Sequence, residues 1–309
     1  MPALETRGME NEKVWGAILY SYKVDPDEPS YLSRGDRIFD VDIDNLADDI
    51  AISQNPDMRV EVDYSDSEHT AAQELASSVS LEGHFGAFSA AASMEISKTS
   101  DSSIKTVRLD SYTKAIRYEV TAVGGFRLFP AKHVTQVFKD AVNSLPVEKI
   151  EQLIGVFYAT NLDLGGEIRK SYTMQATKED SAQSVQSELQ AKYGAGLFGV
   201  SAKASVGVSS RSSDSNAQMK VEWSAKGGDT MIWLNKEFTG DTSVQDVQSQ
   251  WADSITDDNL YPFNFELGLI WDIIKAINPA KGQEYQDYLT KKWDANKALF
   301  QPSKFLASE

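Results

Sequence analysis

Side chains suited to chemistry are sparse in this chain, and their spacing serves few reactions. Histidine occurs three times, at His69, His84 and His133, in three unrelated contexts. None has the i,i+4 partner or the acidic companion that a zinc site requires. Cysteine is absent, which removes thiolate metal sites, disulfides and a cysteine nucleophile, and with them any reading of redox compartment. A hydrolase elbow needs G-x-S-x-G, and Gly199-Val200-Ser201-Ala202-Lys203 lacks the second glycine. No phosphate-cradling loop ends in Gly-Lys-Ser/Thr. Asp40-Val41-Asp42-Ile43-Asp44-Asn45 opens like a calcium loop, but Asn45 stands where the turn glycine belongs and Ala51 where the bidentate glutamate belongs. A solvated acidic loop fits it better. Carboxylates alone could do acid–base work, yet nothing singles out a pair. The chain is read as a non-enzyme, with no catalytic residue, cofactor or metal.

The elements that would hold any site can be read from periodicity. Val14–Lys23 reads as an opening strand, followed by a Pro/Asp/Gly-rich turn region and the acidic stretch Asp40–Glu68, in which Arg59 is the single base. Val107–Val123, rich in Tyr, Val and Thr, predicts a strand. Val134, Val137, Phe138, Ala141, Val142 and Leu145 then follow the apolar stripe of an amphipathic helix. Pro146 interrupts it, and Val147, Ile150, Leu153, Ile154 and Phe157 continue as a second stripe. Leu162–Met174 turns strand-like through Gly165-Gly166, and Met219–Ala225 predicts another strand with Gly227-Gly228 behind it. Near the C-terminus Leu267, Ile270, Trp271 and Ile274 form one helical stripe, and Tyr285, Tyr288, Leu289 and Trp293 form another beyond Asn278-Pro279.

Composition narrows the function class further. Of 309 residues, 41% are hydrophobic and 25% charged, as in an ordinary folded soluble protein. Thirty basic residues against 46 acids leave a formal net charge of -16, which excludes phosphate-backbone binding as the main activity. The same charge argues against unaided docking on anionic lipid. No run approaches the ~18–20 apolar residues of a membrane helix, and MPALETRGMENEK has no apolar core for a secretory signal.

An internal echo is the most informative feature. Leu81-Glu-Gly-His-Phe85-Gly86-Ala87 recurs as Leu189-Gln-Ala-Lys-Tyr193-Gly194-Ala195. After the first copy Phe88, Ala90, Ala92, Met94 and Ile96 alternate with small or polar residues, Glu95 among them. After the second, Phe198, Val200, Ala202, Ala204, Val206 and Val208 do the same against Ser, Gly and Lys203. Each run meets a Ser/Asp-rich turn and then a returning stretch in phase, with Val107 and Leu109 in one and Met219, Val221 and Trp223 in the other. Two readings share this pattern. One is a membrane β-hairpin with a lipid face and a wet face, which needs a closed barrel pooled from many copies because unpaired backbone in hydrocarbon is costly. The other is a half-buried hairpin in a soluble sheet. Phe85 and Phe88 within alanine-rich stretches also suit a short amphipathic helix, so helix and strand both stay open.

The sequence also resembles the membrane-attack-complex/perforin family, distantly akin to the cholesterol-dependent cytolysins. The family signature runs Tyr/Trp-Gly-Thr/Ser-His-Phe/Tyr, six residues, then Gly-Gly. Gly155, Tyr158 and Gly165-Gly166 match in register, whereas Ile154, Val156 and Phe157 replace the aromatic, hydroxyl and histidine positions. The flanking Ser/Ala/Gly segments, Lys226-Gly227-Gly228-Asp229 and Trp251-Ala252-Asp253-Ser254 stand in the matching order. The resemblance implies an α+β fold: a bent central antiparallel sheet of four long strands with two helical clusters that refold into transmembrane hairpins. It implies a pore former that assembles as a homo-oligomeric ring on a target membrane, a toxin or defence effector; a non-lytic binding or developmental protein is the alternative. Gly165-Gly166 and Gly227-Gly228 become hinge candidates, although plain turns fit them equally.

The expected layout is a flexible 1–13, one pore-forming domain over 14–299, and a short tail at 300–309 with no separate targeting domain. The protein is expected to be made soluble, released, and then inserted into the target membrane. Targeting is expected to fall to a receptor or a second protein component. Self-targeting would use the aromatics of Tyr261–Phe265 or Leu299-Phe300.

Overall fold

The structure, a computed structural model, describes residues 11–25, 32–54, 57–63, 105–176, 210–211, 218–234 and 244–299. Of the predicted inserting residues, Phe88, Ala90, Ala92, Met94, Ile96, Phe198, Val200, Ala202, Ala204, Val206 and Val208 lie outside the described residues, whereas Val107, Leu109, Met219, Val221 and Trp223 lie within them.

Among the described residues nine strands form one bent, antiparallel sheet. They are β1 (Tyr20–Val24), β2 (Leu32–Arg37), β3 (Ile50–Ser53), β4 (Asp57–Asp63), β5 (Lys105–Ala122), β6 (Phe157–Ala176), β7 (Ser210–Arg211), β8 (Gln218–Lys226) and β9 (Tyr261–Leu269). Strand β6 is the axis. Its Asn161 faces Thr121 of β5 and Glu266 of β9, and its Glu167 faces Lys114 of β5 and Lys226 of β8. β5 therefore flanks one side of β6, while β9 and then β8 flank the other. β4 pairs outside the middle of β5 and β3 outside its end. The ladder between β5 and β6 slips at Ile116/Tyr118, a bulge that twists and bends a strand pair.

The helices are α1 (Glu12–Trp15), α2 (Leu46–Asp49), α3 (Gly124–Leu128), α4 (Gln136–Ser144), α5 (Val147–Leu153), α6 (Met231–Leu234), α7 (Val244–Asp253), α8 (Ile270–Ile277) and α9 (Pro279–Leu299). Helices pack on this sheet, α4, α5, α8 and α9 at one end and α7 over its middle. Phe138 and Val142 of α4, Ile150 of α5, Ile270, Trp271 and Ile274 of α8, and Tyr285, Leu289 and Trp293 of α9 bury against Val120, Leu162, Leu164 and Phe265 of the sheet. A smaller core of Ala115, Ile168, Val247, Trp251 and Ile255 lies under α7. Among the described residues no helix is long and apolar enough to cross a membrane.

Several sequence expectations shift. Val14–Leu19 is helical rather than strand: α1 and a 3-10 turn, Gly16–Leu19, precede β1. Val14, Trp15, Ile18 and Leu19 are all buried, so the run lacks the one-sided alternation of a half-exposed strand, and the Asn11 carboxamide caps its start by accepting from Lys13 N–H. The acidic stretch is structured, holding α2, β3 and β4. Within it, Asp42 is occupied by the Asp44 backbone N–H and the Asn45 side chain at 3.1 and 2.7 Å. Helix α4 begins at Gln136, capped by the Thr135 hydroxyl accepting from Phe138 N–H; Val134 lies before it and bridges to Phe39. Phe157 opens β6. Leu267 belongs to β9, whose buried Phe263, Phe265, Leu267 and Leu269 alternate with period two before α8 takes over.

Candidate functional site

The signature segment spans the step from α5 into β6. Gly155 has φ +96, a backbone that side chains resist. Its N–H donates to Ile150 O at 3.2 Å, and its carbonyl accepts the Tyr285 hydroxyl of α9 at 2.8 Å. Ile154, Val156 and Phe157, the departures from the family pattern, are buried in the main core, so apolar packing replaces whatever polar contacts those positions make in relatives. Tyr158 lies over Gly268 of the paired strand and meets Phe39 edge-on at 5.6 Å. Burial, aided by the Asp272 carboxylate, pushes its phenol up to about 12.

Gly165-Gly166 and Gly227-Gly228, distant in sequence, meet in space. Gly165 pairs with Ile116 at the β5 bulge, and at Gly165 the partner across β6 changes from β9 to β8. Gly227 has φ +73, and a β-carbon there would strike Gly165 O. A β-carbon on Gly166 would sit 2.5 Å from Trp251 Cζ2 and 2.9 Å from Ile255 Cδ1. The indole is thus seated directly on backbone, and its Nε1 donates to Gly227 O at 3.0 Å. Ser254 takes the Asp229 N–H at 2.7 Å and donates to Trp251 O at 2.6 Å. Tyr118, beside the bulge, donates to Asp257 at 2.9 Å, and Gln248 donates to Thr113 at 3.2 Å. Helix α7 and its following turn therefore bridge β5, β6 and β8 where the sheet bends. The sequence reading found the four glycines but not what they hold. The missed signal is Val247, Trp251 and Ile255, a stripe spaced by four.

Below this crossing the sheet carries the returning stretches. Val107 and Met219 both stand opposite Met174, Leu109 and Val221 opposite Tyr172, and Trp223 opposite Lys170. The alternation read from sequence thus places these five residues in matched rows flanking β6. Three residues nearer the crossing, on the other face, the row Lys114–Glu167–Lys226 is charged, with Glu167 at 2% exposure and 4.0 Å from Lys114 Nζ. Residues 64–104 lie between the antiparallel strands β4 and β5, and residues 177–217, which include β7, lie between the antiparallel strands β6 and β8; the start of β5 and the end of β6 meet at the pair Lys105–Ala176, while β7 pairs with β8. Tyr261–Phe265 is not an exposed anchor, because Phe263 and Phe265 are buried. Leu299-Phe300 lies where side chains are outside the described residues.

The described sheet thus centres on a four-strand antiparallel ladder, β4–β5–β6–β8, with two glycine pairs converging under Trp251. The MAC/Perforin domain, MACPF, matches residues 49–298, and the chain belongs to that family. No curated protein matches the chain by sequence. Among solved structures, GNIP1Aa from Chromobacterium piscinae is similar at 16% identity with TM-score 0.57, covering 91% of this chain and 56% of that one. A MAC/Perforin-domain protein from Bacteroides thetaiotaomicron is similar at 13% identity with TM-score 0.61, covering 87% of this chain and 59% of that one. The chain spans less than three fifths of the length of these structures, and the likeness is one of fold.

Proposed function

We propose that this protein is a pore former, a toxin or defence effector that assembles as a ring on a target membrane. Each copy would contribute residues 64–104 and 177–217 as two β-hairpins. The observation that supports the proposal is that residues 64–104 and 177–217 connect antiparallel neighbours, β4 to β5 and β6 to β8, whose ends meet at the Lys105–Ala176 pair. Extending these segments would prolong the ladders β4–β5 and β6–β8, with the short β7 pairing beside β8 absorbed into the new hairpin. An arm of roughly 20 residues reaches ~65 Å at ~3.3 Å per residue, well beyond the ~30 Å hydrocarbon core. The alternating faces assign lipid contact to Phe88, Ala90, Ala92, Met94 and Ile96, and to Phe198, Val200, Ala202, Ala204, Val206 and Val208. The glycine crossing under Trp251 is the bend that straightening must pass through.

Burial of Phe263 and Phe265 and the net charge of -16 favour a receptor or a second protein component for targeting over self-targeting by this segment. The test is dye release from vesicles of several lipids and from cells, with and without candidate partners, followed by imaging of the membranes. Release accompanied by ring-shaped oligomers is expected. Absence of both under every condition refutes the proposal.

A further inference from the structure

The connection between β5 and α4 departs from the rest of the chain in charge and exposure. From Val120 to Lys139 there is no aspartate or glutamate, although acids outnumber bases 46 to 30 overall. Arg127 and Lys132 are exposed there, and Lys132 lies over the Phe129 ring at 4.4 Å. Leu128 is 71% exposed, Phe129 54% and Val137 77%, three of the five large hydrophobic residues so exposed among those described. At the base of this tip Asp49 is already engaged, accepting from Phe126 N–H at 3.2 Å and standing 3.7 Å from His133. Cations around protruding apolar side chains make a contact surface for something acidic.

Its position selects the occupant. The tip follows Ala122, whereas residues 64–104 and 177–217 leave the sheet beside Lys105, at the other end of β5. A membrane entered by those segments is a strand length away from the tip. A neighbouring copy is not. Hairpins pooled into one barrel must pair with those of the next copy, because open sheet edges are not tolerated in hydrocarbon. Copies must therefore stand side by side at equal height, the β3/β4 edge of one beside the β8/β9 edge of the next. On β9, Glu266 shares a row with Asn161 and Thr121, within three residues of the tip's start. Glu266 is exposed, and so is Asp272 in the first turn of α8. Within the described residues Arg127, Lys132 and Glu266 make no ion pair with one another or with any other residue of their own copy.

We infer that the Arg127–Lys132 tip, with Leu128 and Phe129, docks on the Glu266/Asp272 surface of the adjacent copy, as a head-to-tail contact outside the barrel. The inference rests on the ring proposed above. Three apolar side chains are too few for the ~800 Å² per partner of a free-standing interface, so the contact serves copies already brought together at their sheet edges. Heterologous contacts of this kind repeat around a ring, and like charges placed across one suppress pairing.

The experiment reverses the charges on both sides. One variant carries Arg127→Glu and Lys132→Glu, the other Glu266→Lys and Asp272→Lys. All four positions are exposed, and matching thermal melts confirm that both monomers fold. Each variant alone should assemble on vesicles at least about tenfold less than wild type, whereas an equimolar mixture should recover assembly, since every contact then pairs opposite charges. Normal assembly by each variant alone, or no recovery in the mixture, overturns the inference while leaving the ring intact. Absence of wild-type assembly sinks the ring, and the inference with it. Because the chain lacks cysteine, a polarity-sensitive dye on Leu128→Cys supplies a second readout. A blue shift on assembly without quenching by lipid-borne quenchers supports the subunit contact. Quenching by lipid, or no shift in assembled rings, overturns it.

Discussion

Adding one methyl group at Gly166 tests whether the indole of Trp251 sits on bare backbone. In Gly166→Ala the new carbon would lie 2.5 Å from Cζ2 and 3.1 Å from Cη2 of Trp251, and 2.9 Å from Ile255 Cδ1. Carbon pairs rest at ~3.5–4.0 Å, so a fully buried ring must retreat by about 1 Å or β6 must bow. Overpacking of this kind costs about 1–3 kcal/mol. Trp251→Leu alone removes part of the ring and the Nε1 donation to Gly227 O, a change in the range of about 2–4 kcal/mol for a buried large-to-small substitution. Together the two changes relieve each other, because the smaller side chain vacates the space the methyl needs. Urea unfolding of wild type, both single variants and the double variant should give a favourable coupling of at least about 1 kcal/mol. Destabilisations that add to within ~0.5 kcal/mol would refute the contact, and with it the view that glycine is required there by the helix above. The same geometry predicts faster pore opening by Trp251→Leu than by wild type at equal bound protein, since the resting bend loses its clamp.

Ala92→Arg or Ala204→Arg should abolish dye release while the monomer's melt stays unchanged, because an arginine at mid-membrane costs about 2–4 kcal/mol per subunit; Ser205→Arg should be milder, and equal lysis by all three would refute the face assignment. Tyr158 titrates from a pKa raised above its ordinary 10 to about 12. Its contribution to stability is complete below pH ~10 and is lost as pH rises toward about 12, so Tyr158→Phe should flatten part of the alkaline fall measured by denaturant titration. Tyr22, Tyr118, Tyr285 and Tyr288 are pushed the same way, chiefly by burial, and should keep the remainder of the slope. Glu167→Gln, which keeps the shape but removes the charge of the buried carboxylate beside Lys114, should destabilise the monomer by about 1–3 kcal/mol in denaturant titration, and an unchanged midpoint would refute a stabilising role for that charge.

Strands β5 and β6 were legible because their residues alternate over long runs, and helices α4, α5 and α9 because theirs repeat near 3.6. Val14–Leu19 misled because a short apolar run buried on all sides has no diagnostic period. Leu267 was drawn into a helix because β9 delivers buried residues up to Leu269, and α8 continues them without a polar break. The four glycines were visible as pairs. Their convergence was not, since it depends on β6 and β8 pairing and on the far-off Trp251 being laid over both. Charge in the Val120–Lys139 connection could be read directly, but its exposure could not, because Leu128, Phe129 and Val137 look like core until the fold places them at its rim.

The switch of partners along β6 has a consequence for how insertion would begin. Above Gly165 the strand is locked to β9, and its side chains belong to the main core. Below, it already runs in ladder with β5 and β8. In the proposed ring every copy would arrive with a seed whose alignment is settled, and growth of a hairpin would be propagation from an existing edge. The slow step of sheet formation, bringing distant segments together against chain entropy, has been completed during folding of the monomer. A slip by one residue, which would turn every apolar side chain toward the wet face, would be opposed from the first pair onward by a core that, in this proposal, stays outside the membrane.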